Sequence, residues 1–217
     1  MSLPQHHLPD DLLMAYAAGT TNEAQSLLVA THLTYCPRCR ERVAEFETLG
    51  GTLLIEGEPL TVSEDLMSRT MNALNEETFP TRQETVSQSE LADGVNWPRP
   101  LQPYVRGRRW KRVLPAVESI ELPLSWDGEP LRAFRLRPKF KVPRHTHTAD
   151  EYQIVLRGGF QDMGEHYAPG DVAVRHSSHE HELFIDDGEP CITLNVLSAP
   201  LIPKTLLGRL FRLLAGM

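Results

Sequence analysis

The chain has 217 residues, 41% of them hydrophobic and 24% charged, with a formal net charge of −7; these are ordinary values for a globular protein with room for two modest domains. Its opening, MSLPQHHLPDD, is polar and broken by prolines, so no secretory h-region is expected there, and no apolar run approaches the roughly 20 residues of a membrane span. Three cysteines, two of them in a metal-binding spacing, argue against a disulfide scaffold and for a reducing compartment, so a cytoplasmic protein without a membrane partner is expected.

The first half reads as helices. Pro9 to Ala18 (PDDLLMAYAA) carries acidic residues in its first turn and stops at Gly19. A second helix is predicted from about Asn22 to His32, with Ala24, Leu27, Leu28 and Thr31 on one face. Cys39, Val43, Phe46 and Leu49 form a third stripe, closed by Gly50 and Gly51. A fourth helix is predicted from Ser63, its cap, to about Asn75, with Leu66, Met67, Thr70, Met71 and Leu74 on a broad apolar face. Most of that stripe is expected to pack in the module's own core.

Between the second and third helices stands ATHLTYCPRC, a His-x3-Cys-x2-Cys spacing. His32 and Cys36, four residues apart, project from one helical face. Pro37 suits the first position of a new helix, and Cys39 then returns toward the same point. Zinc takes four N/S ligands in a tetrahedron, so the three leave a vacancy. His7, just before the first helix, is the best candidate to fill it, with His6 as the substitute. Two free cysteines and a surface histidine would not account for so tight a spacing.

Residues 1–77 hold four Arg and no Lys against twelve Asp and Glu, a balance of −8, whereas the remainder is at +1. An acidic segment is poorly suited to phosphate backbones and better suited to a basic protein partner. A zinc finger that reads DNA is therefore not expected. Residues 78 to about 98 lose helical periodicity and become polar, as an interdomain linker outside either core does.

From about residue 99 the pattern turns to short strands separated by Pro, Gly and Asp. LRAFRLRP, YQIVLRGGF, DVAVRH and CITLNVL alternate or run apolar, which suggests a sandwich or barrel. Cys191 falls in one of these strands as a core residue. The ending, PKTLLGRLFRLLAGM, reads as a helix packed across the outside of that barrel. A second ligand cluster lies here. His145 and His147, two apart on a strand, share a face, and Glu151 returns after a three-residue gap. Beyond the Pro169–Gly170–Asp171 turn, His181 lies ten residues past the Asp and comes back beside them. Three His and a carboxylate suit zinc or another divalent metal. His166, His176 and His179 read as surface residues.

His145-x-His147-x3-Glu151-x6-Gly158, followed by Pro169-Gly170-Asp171 and His181, resembles the cupins, which implies a small antiparallel β-barrel with a metal inside. Lys139 stands where that pattern often has glycine, and SSHE replaces the usual turn before His181. His7 with His32-x3-Cys36-x2-Cys39 resembles the zinc-binding anti-sigma domain. Joined in this order over nearly the whole chain, the two motifs are similar to the ChrR-type anti-sigma factors. The resemblance implies an α+β protein of two domains, with a zinc-binding helical domain at 1–77 and a linker at 78–98. A cupin β-barrel at 99–200 and a C-terminal helix at 201–217 complete it. It also implies a protein that is not an enzyme and that sequesters an extracytoplasmic-function sigma factor, releasing it under stress of the oxidative or singlet-oxygen type. The Met-containing fourth helix would offer its remaining apolar surface to a partner groove. The rival reading is a cupin dioxygenase or isomerase in which His145, His147, Glu151 and His181 hold iron and the helical part is a regulatory appendage.

Overall fold

The computed structural model describes residues 3–76, 95–124, 131–146, 150–176, 180–197 and 202–203. Four helices come first. In α1 (Asp10–Ala17), Asp10 and Asp11 oppose the N-terminal dipole, and the helix ends before Gly19 at φ +68°. In α2 (Glu23–Tyr35), a reciprocal cap fixes the start. The Asn22 side chain accepts from the Gln25 N–H at 2.9 Å and the Gln25 side chain from the Asn22 N–H. The chain becomes extended at Cys36, and Pro37 opens α3 (Pro37–Glu56).

Gly50 and Gly51 were expected to close this third helix, but α3 runs through both. Each glycine costs about 1 kcal/mol in a helix, and the flanking TLLIE has no proline to stop it. The last helix of the group, α4 (Leu66–Glu76), starts three residues later than expected. Its stripe does not pack in a core, because every residue from 52 to 75 is exposed.

A 3-10 turn (Arg99–Leu101) and the short α5 (Gln102–Val105) lead into eleven strands among the described residues. These are β1 (Lys111–Leu114), β2 (Val117–Leu122), β3 (Leu131–Leu136), β4 (Lys141–Thr146), β5 (Glu151–Arg157), β6 (Phe160–Asp162), β7 (Glu165–Tyr167), β8 (Val172–Arg175), β9 (Glu180–Ile185), β10 (Cys191–Leu197) and β11 (Ile202–Pro203). They form two antiparallel sheets, ordered β1-β2-β3-β10-β5-β8 and β11-β4-β9-β6-β7. Between the sheets lie Phe134, Leu136, Val142, Val155, Phe160, Leu183, Ile185 and Cys191, the inward positions of alternating strands. Ile202 and Pro203 were expected to begin a helix and instead pair with β4. The rest of that C-terminal segment, and His147 and His179, lie outside the described residues.

The other face of the six-stranded sheet is buried too. One continuous core joins Leu13, Leu28, Val29 and Val43 of the helices to Ile154, Leu156, Ile192 and Leu194 of β5 and β10. Burial on both faces is why every residue from Glu151 to Leu156 in β5 is buried and the strand is apolar at all but two of those positions. Val95 and Trp97, 3% and 1% exposed, belong to this core, so the end of the expected linker is a packed wedge between the two halves. Tyr104 Oη donates to Glu23 Oε1 at 3.0 Å across the same junction.

The tightest point of the junction is the Pro169–Gly170–Asp171 turn. Gly170 sits at φ +95°, and a Cβ there would lie 2.7 Å from the Tyr35 Cβ and 2.8 Å from the Pro4 ring. Gly170→Ala is expected to cost about 2–5 kcal/mol from backbone strain plus overpacking, measured by urea unfolding of the full chain. A loss below about 1 kcal/mol would show that the halves do not press together here.

Two candidate metal centres

The first cluster grows from the α2–α3 break. His32 lies in the last turn of α2, Cys36 at the extended residue, and Cys39 in the first turn of α3. Pro9 starts α1 so that His7 faces them. His32 Nε2 is 3.3 Å from Cys39 Sγ, and His7 Nδ1 is 3.3 Å from Cys36 Sγ and 3.8 Å from Cys39 Sγ. All four ligand atoms lie within 4.8 Å of one another. Tetrahedral zinc with bonds of about 2.0–2.3 Å places its ligands about 3.3–3.8 Å apart, so the donor set and the spacing both fit. His6 turns away; its ring packs against that of Tyr167, tilted by 30° with centroids 4.2 Å apart.

The electrostatics agree. Burial pushes His32 down to about 4 and, together with the Cys36 thiol, pushes Cys39 up to about 11. Burial and the nearby Arg38 also lower His7. The imidazoles are thus neutral and ready to ligate, and a divalent cation at the centre would hold the thiols as thiolates.

The second cluster forms where β4 and β9 pair. His145 stands opposite His181 in that ladder, their rings 4.5 Å apart, and Glu151 enters from β5. One ligand atom from each of the three falls within the same 4.8 Å sphere. His145 Nδ1–H donates to Pro143 O at 2.8 Å and His181 Nδ1–H to Asp162 Oδ2 at 2.8 Å. Both bonds put the lone pair on Nε2, the tautomer a metal needs. Burial pushes His145 down to about 4, with His181 adding to the effect, and pushes the Glu151 carboxyl up, against the pull of His181 and of the Asn195 amide.

Three further residues belong to this site and were not singled out by the sequence pattern. Asp162 is 2% exposed; burial pushes its carboxyl up, but His181 and Arg175 together hold it below the ordinary range. Arg175 Nε donates to Asp162 Oδ2 at 2.8 Å, and Asn195 Nδ2 donates to Glu151 Oε1 at 3.2 Å. Strand parity was the available signal, since Asp162 shares the inward face with Phe160, Arg175 with Ala173, and Asn195 with Cys191. His166 and His176 are surface residues, paired with Asp186 at 2.7 Å and Asp150 at 2.8 Å.

Residues 10–40 match a family described as "Putative zinc-finger". The chain is 35% identical over 202 residues to the anti-sigma-E factor ChrR of Cereibacter sphaeroides, covering 91% of each. The chain belongs to the ChrR-type anti-sigma factors. Among solved structures it resembles the Rhodobacter sphaeroides SigE–anti-sigma ChrR complex, with a TM-score of 0.73 and 35% identity over 88% of this chain and 98% of that one. An RmlC-like cupin protein of Ralstonia eutropha is 18% identical, with a TM-score of 0.41 over 46% of this chain and 69% of that one. The family is one of regulators rather than enzymes, so the dioxygenase reading falls. The α+β class holds, with a helical part carrying the zinc-finger motif and a β part of two antiparallel sheets. Lys139 takes the left-handed backbone (φ +62°) of the glycine it stands in for. Among the described residues, no helix is long and apolar enough to cross a membrane.

Proposed function

We propose that this chain sequesters an extracytoplasmic-function sigma factor in the cytoplasm, through the end of α3 and α4, and that its cupin-like domain is the input that brings release under oxidative stress. The observation that carries this reading is the stretch from 52 to 75. There Leu53, Leu54, Ile55, Leu60, Val62, Met67 and Met71 are all more than half exposed. An apolar surface of this extent marks a partner site, and an amphipathic Met-bearing helix suits a groove. Covering the polymerase-binding face of a sigma factor is a steric act that needs no chemistry. The acidic charge of residues 1–77 disfavours nucleic acid as the partner.

In this reading residues 1–77 are the inhibitory unit and His7, His32, Cys36 and Cys39 hold a structural zinc. The barrel cluster of His145, Glu151 and His181, with His147 as the fourth ligand, holds zinc or another divalent metal. A cleft of about 360 Å³, lined by Arg144, Asp162, His181 and Phe184, lies beside it. Affinity purification of the native chain is expected to bring down a sigma factor, and the purified pair to be inactive in reconstituted transcription. A His145→Ala/Glu151→Ala variant is expected to repress as well as wild type but to stay silent under singlet oxygen. Constitutive transcription in that variant would place the barrel in the inhibitory surface, and recovery of DNA without a sigma factor would overturn the reading.

A further inference from the structure

Two ligands of the helical cluster are held in place by the β domain. The Asp171 carboxylate accepts from three backbone N–H groups: Gln5 and His6 on Oδ1, at 2.6 and 2.9 Å, and Ala168 on Oδ2 at 2.8 Å. It thereby ties down the residues immediately before His7. Gly170 O accepts from His32 Nδ1–H at 2.8 Å, from 138 residues away in sequence, and this bond directs Nε2 toward Cys39. The Val172 N–H closes the set on His6 O at 3.3 Å.

The same turn leads back to the barrel cluster. The His6 ring lies on Tyr167 at 4.2 Å, and Tyr167 Oη accepts from Arg175 Nη2 at 2.9 Å. Arg175 Nε reaches Asp162, which in turn accepts from His181 Nδ1–H. Tyr167, Arg175, Asp162 and His181 are each less than 10% exposed, and charged hydrogen bonds shielded from water are strong and position-sensitive. A cation held by His181 would make its Nδ1–H a stronger donor to Asp162, which together with Tyr167 accepts from Arg175.

We propose that Asp171 and Gly170 are positioning residues for the helical metal centre, and that the Tyr167–Arg175–Asp162 chain extends this outer shell to His181. Retention of metal by Cys36 and Cys39 then depends on the state of the barrel cluster. The inference rests on reading both clusters as metal centres.

The test uses the full chain loaded with cobalt(II), whose thiolate charge-transfer absorption reports the helical centre alone, and follows its loss to excess chelator. Asp171→Ala is expected to speed that loss by about 10–100-fold, the usual cost of removing an outer-shell partner. Asp171→Asn is expected to fall between, since its amide meets the Ala168 N–H donor to donor; being nearly isosteric, it also carries the test should the alanine variant not fold. Emptying the barrel with Glu151→Gln is expected to change the loss rate by about fivefold or more, and Tyr167→Phe to abolish that dependence. Wild-type loss rates in both Asp171 variants would overturn the positioning role. An effect of Glu151→Gln that survives in Tyr167→Phe would overturn the chain to His181. Absence of the thiolate–cobalt absorption in wild type would sink the metal reading itself, and this inference with it.

Discussion

Cys36→Ala is expected to strip the metal from the helical centre, melt α1 to α3, and abolish sigma-factor binding. Cys36 is 1% exposed, sits at the hinge between α2 and α3, and accepts from the Cys39 N–H as well as facing His7. The helices share their core with one face of the six-stranded sheet, and a structural zinc site of this type supplies about 10–16 kcal/mol of apparent folding free energy. Few helical contacts outweigh such a loss. The β domain, with its own core between two sheets, is expected to stay folded. Metal analysis, far-UV circular dichroism and a sigma-factor pull-down read the three effects together. A metal-free variant with wild-type helicity and partner affinity would refute the structural role.

The second large effect is expected from Met67→Asp/Met71→Asp on α4. The two residues are 73% and 52% exposed and four apart, so they lie on one helical face. Nothing in the described chain packs over them, and stability should shift by no more than about 0.5 kcal/mol per site. Buried in a partner's groove, two such anchors are each worth about 2 kcal/mol, and a carboxylate left there unpaired costs at least as much. Loss of the two anchors alone is therefore expected to lower sigma-factor affinity by about 1,000-fold, and the buried carboxylates to lower it further, with transcription restored in proportion. Titration calorimetry against the purified sigma factor measures it. Unchanged affinity would move the docking surface elsewhere.

The two effects separate what α1–α3 and α4 each do. In this reading a bound metal shapes the first three helices, whereas α4, exposed throughout, has no packing to lose to a surface charge. A variant that lost both metal and affinity would not distinguish them, but the pair of variants does.

Much of the helical half was legible because its signals are local. The Asn22–Gln25 cap, Pro37 at a helix start and the His-x3-Cys-x2-Cys spacing each act within one or two turns, so neighbouring residues suffice to place His32, Cys36 and Cys39 together. His145, His181 and Glu151 were legible for a related reason. Strand parity puts residues on the inward face whatever the neighbouring strand is, and a short antiparallel ladder brings His145 opposite His181.

What the local pattern could not decide was which apolar stripe finds a partner within the chain. The stripe on α4 and the apolar run of β5 look equally fit for a core. Burial is a property of what packs against a face, and only the tertiary structure shows that β5 is covered twice while α4 is covered by nothing among the described residues. The same holds for Gly170 and Asp171. As a sequence, Pro-Gly-Asp specifies a turn; that the turn reaches His32 and the backbone before His7 depends on how the helices dock on the sheet, a contact spanning 138 residues. Residue type and spacing thus determined which candidate ligands cluster and the elements that bear them, because those depend on near neighbours. The exposure of the α4 stripe and the contacts of Gly170 and Asp171 with the helical cluster were decided only by docking, because contacts between distant segments are set by the packing of whole faces.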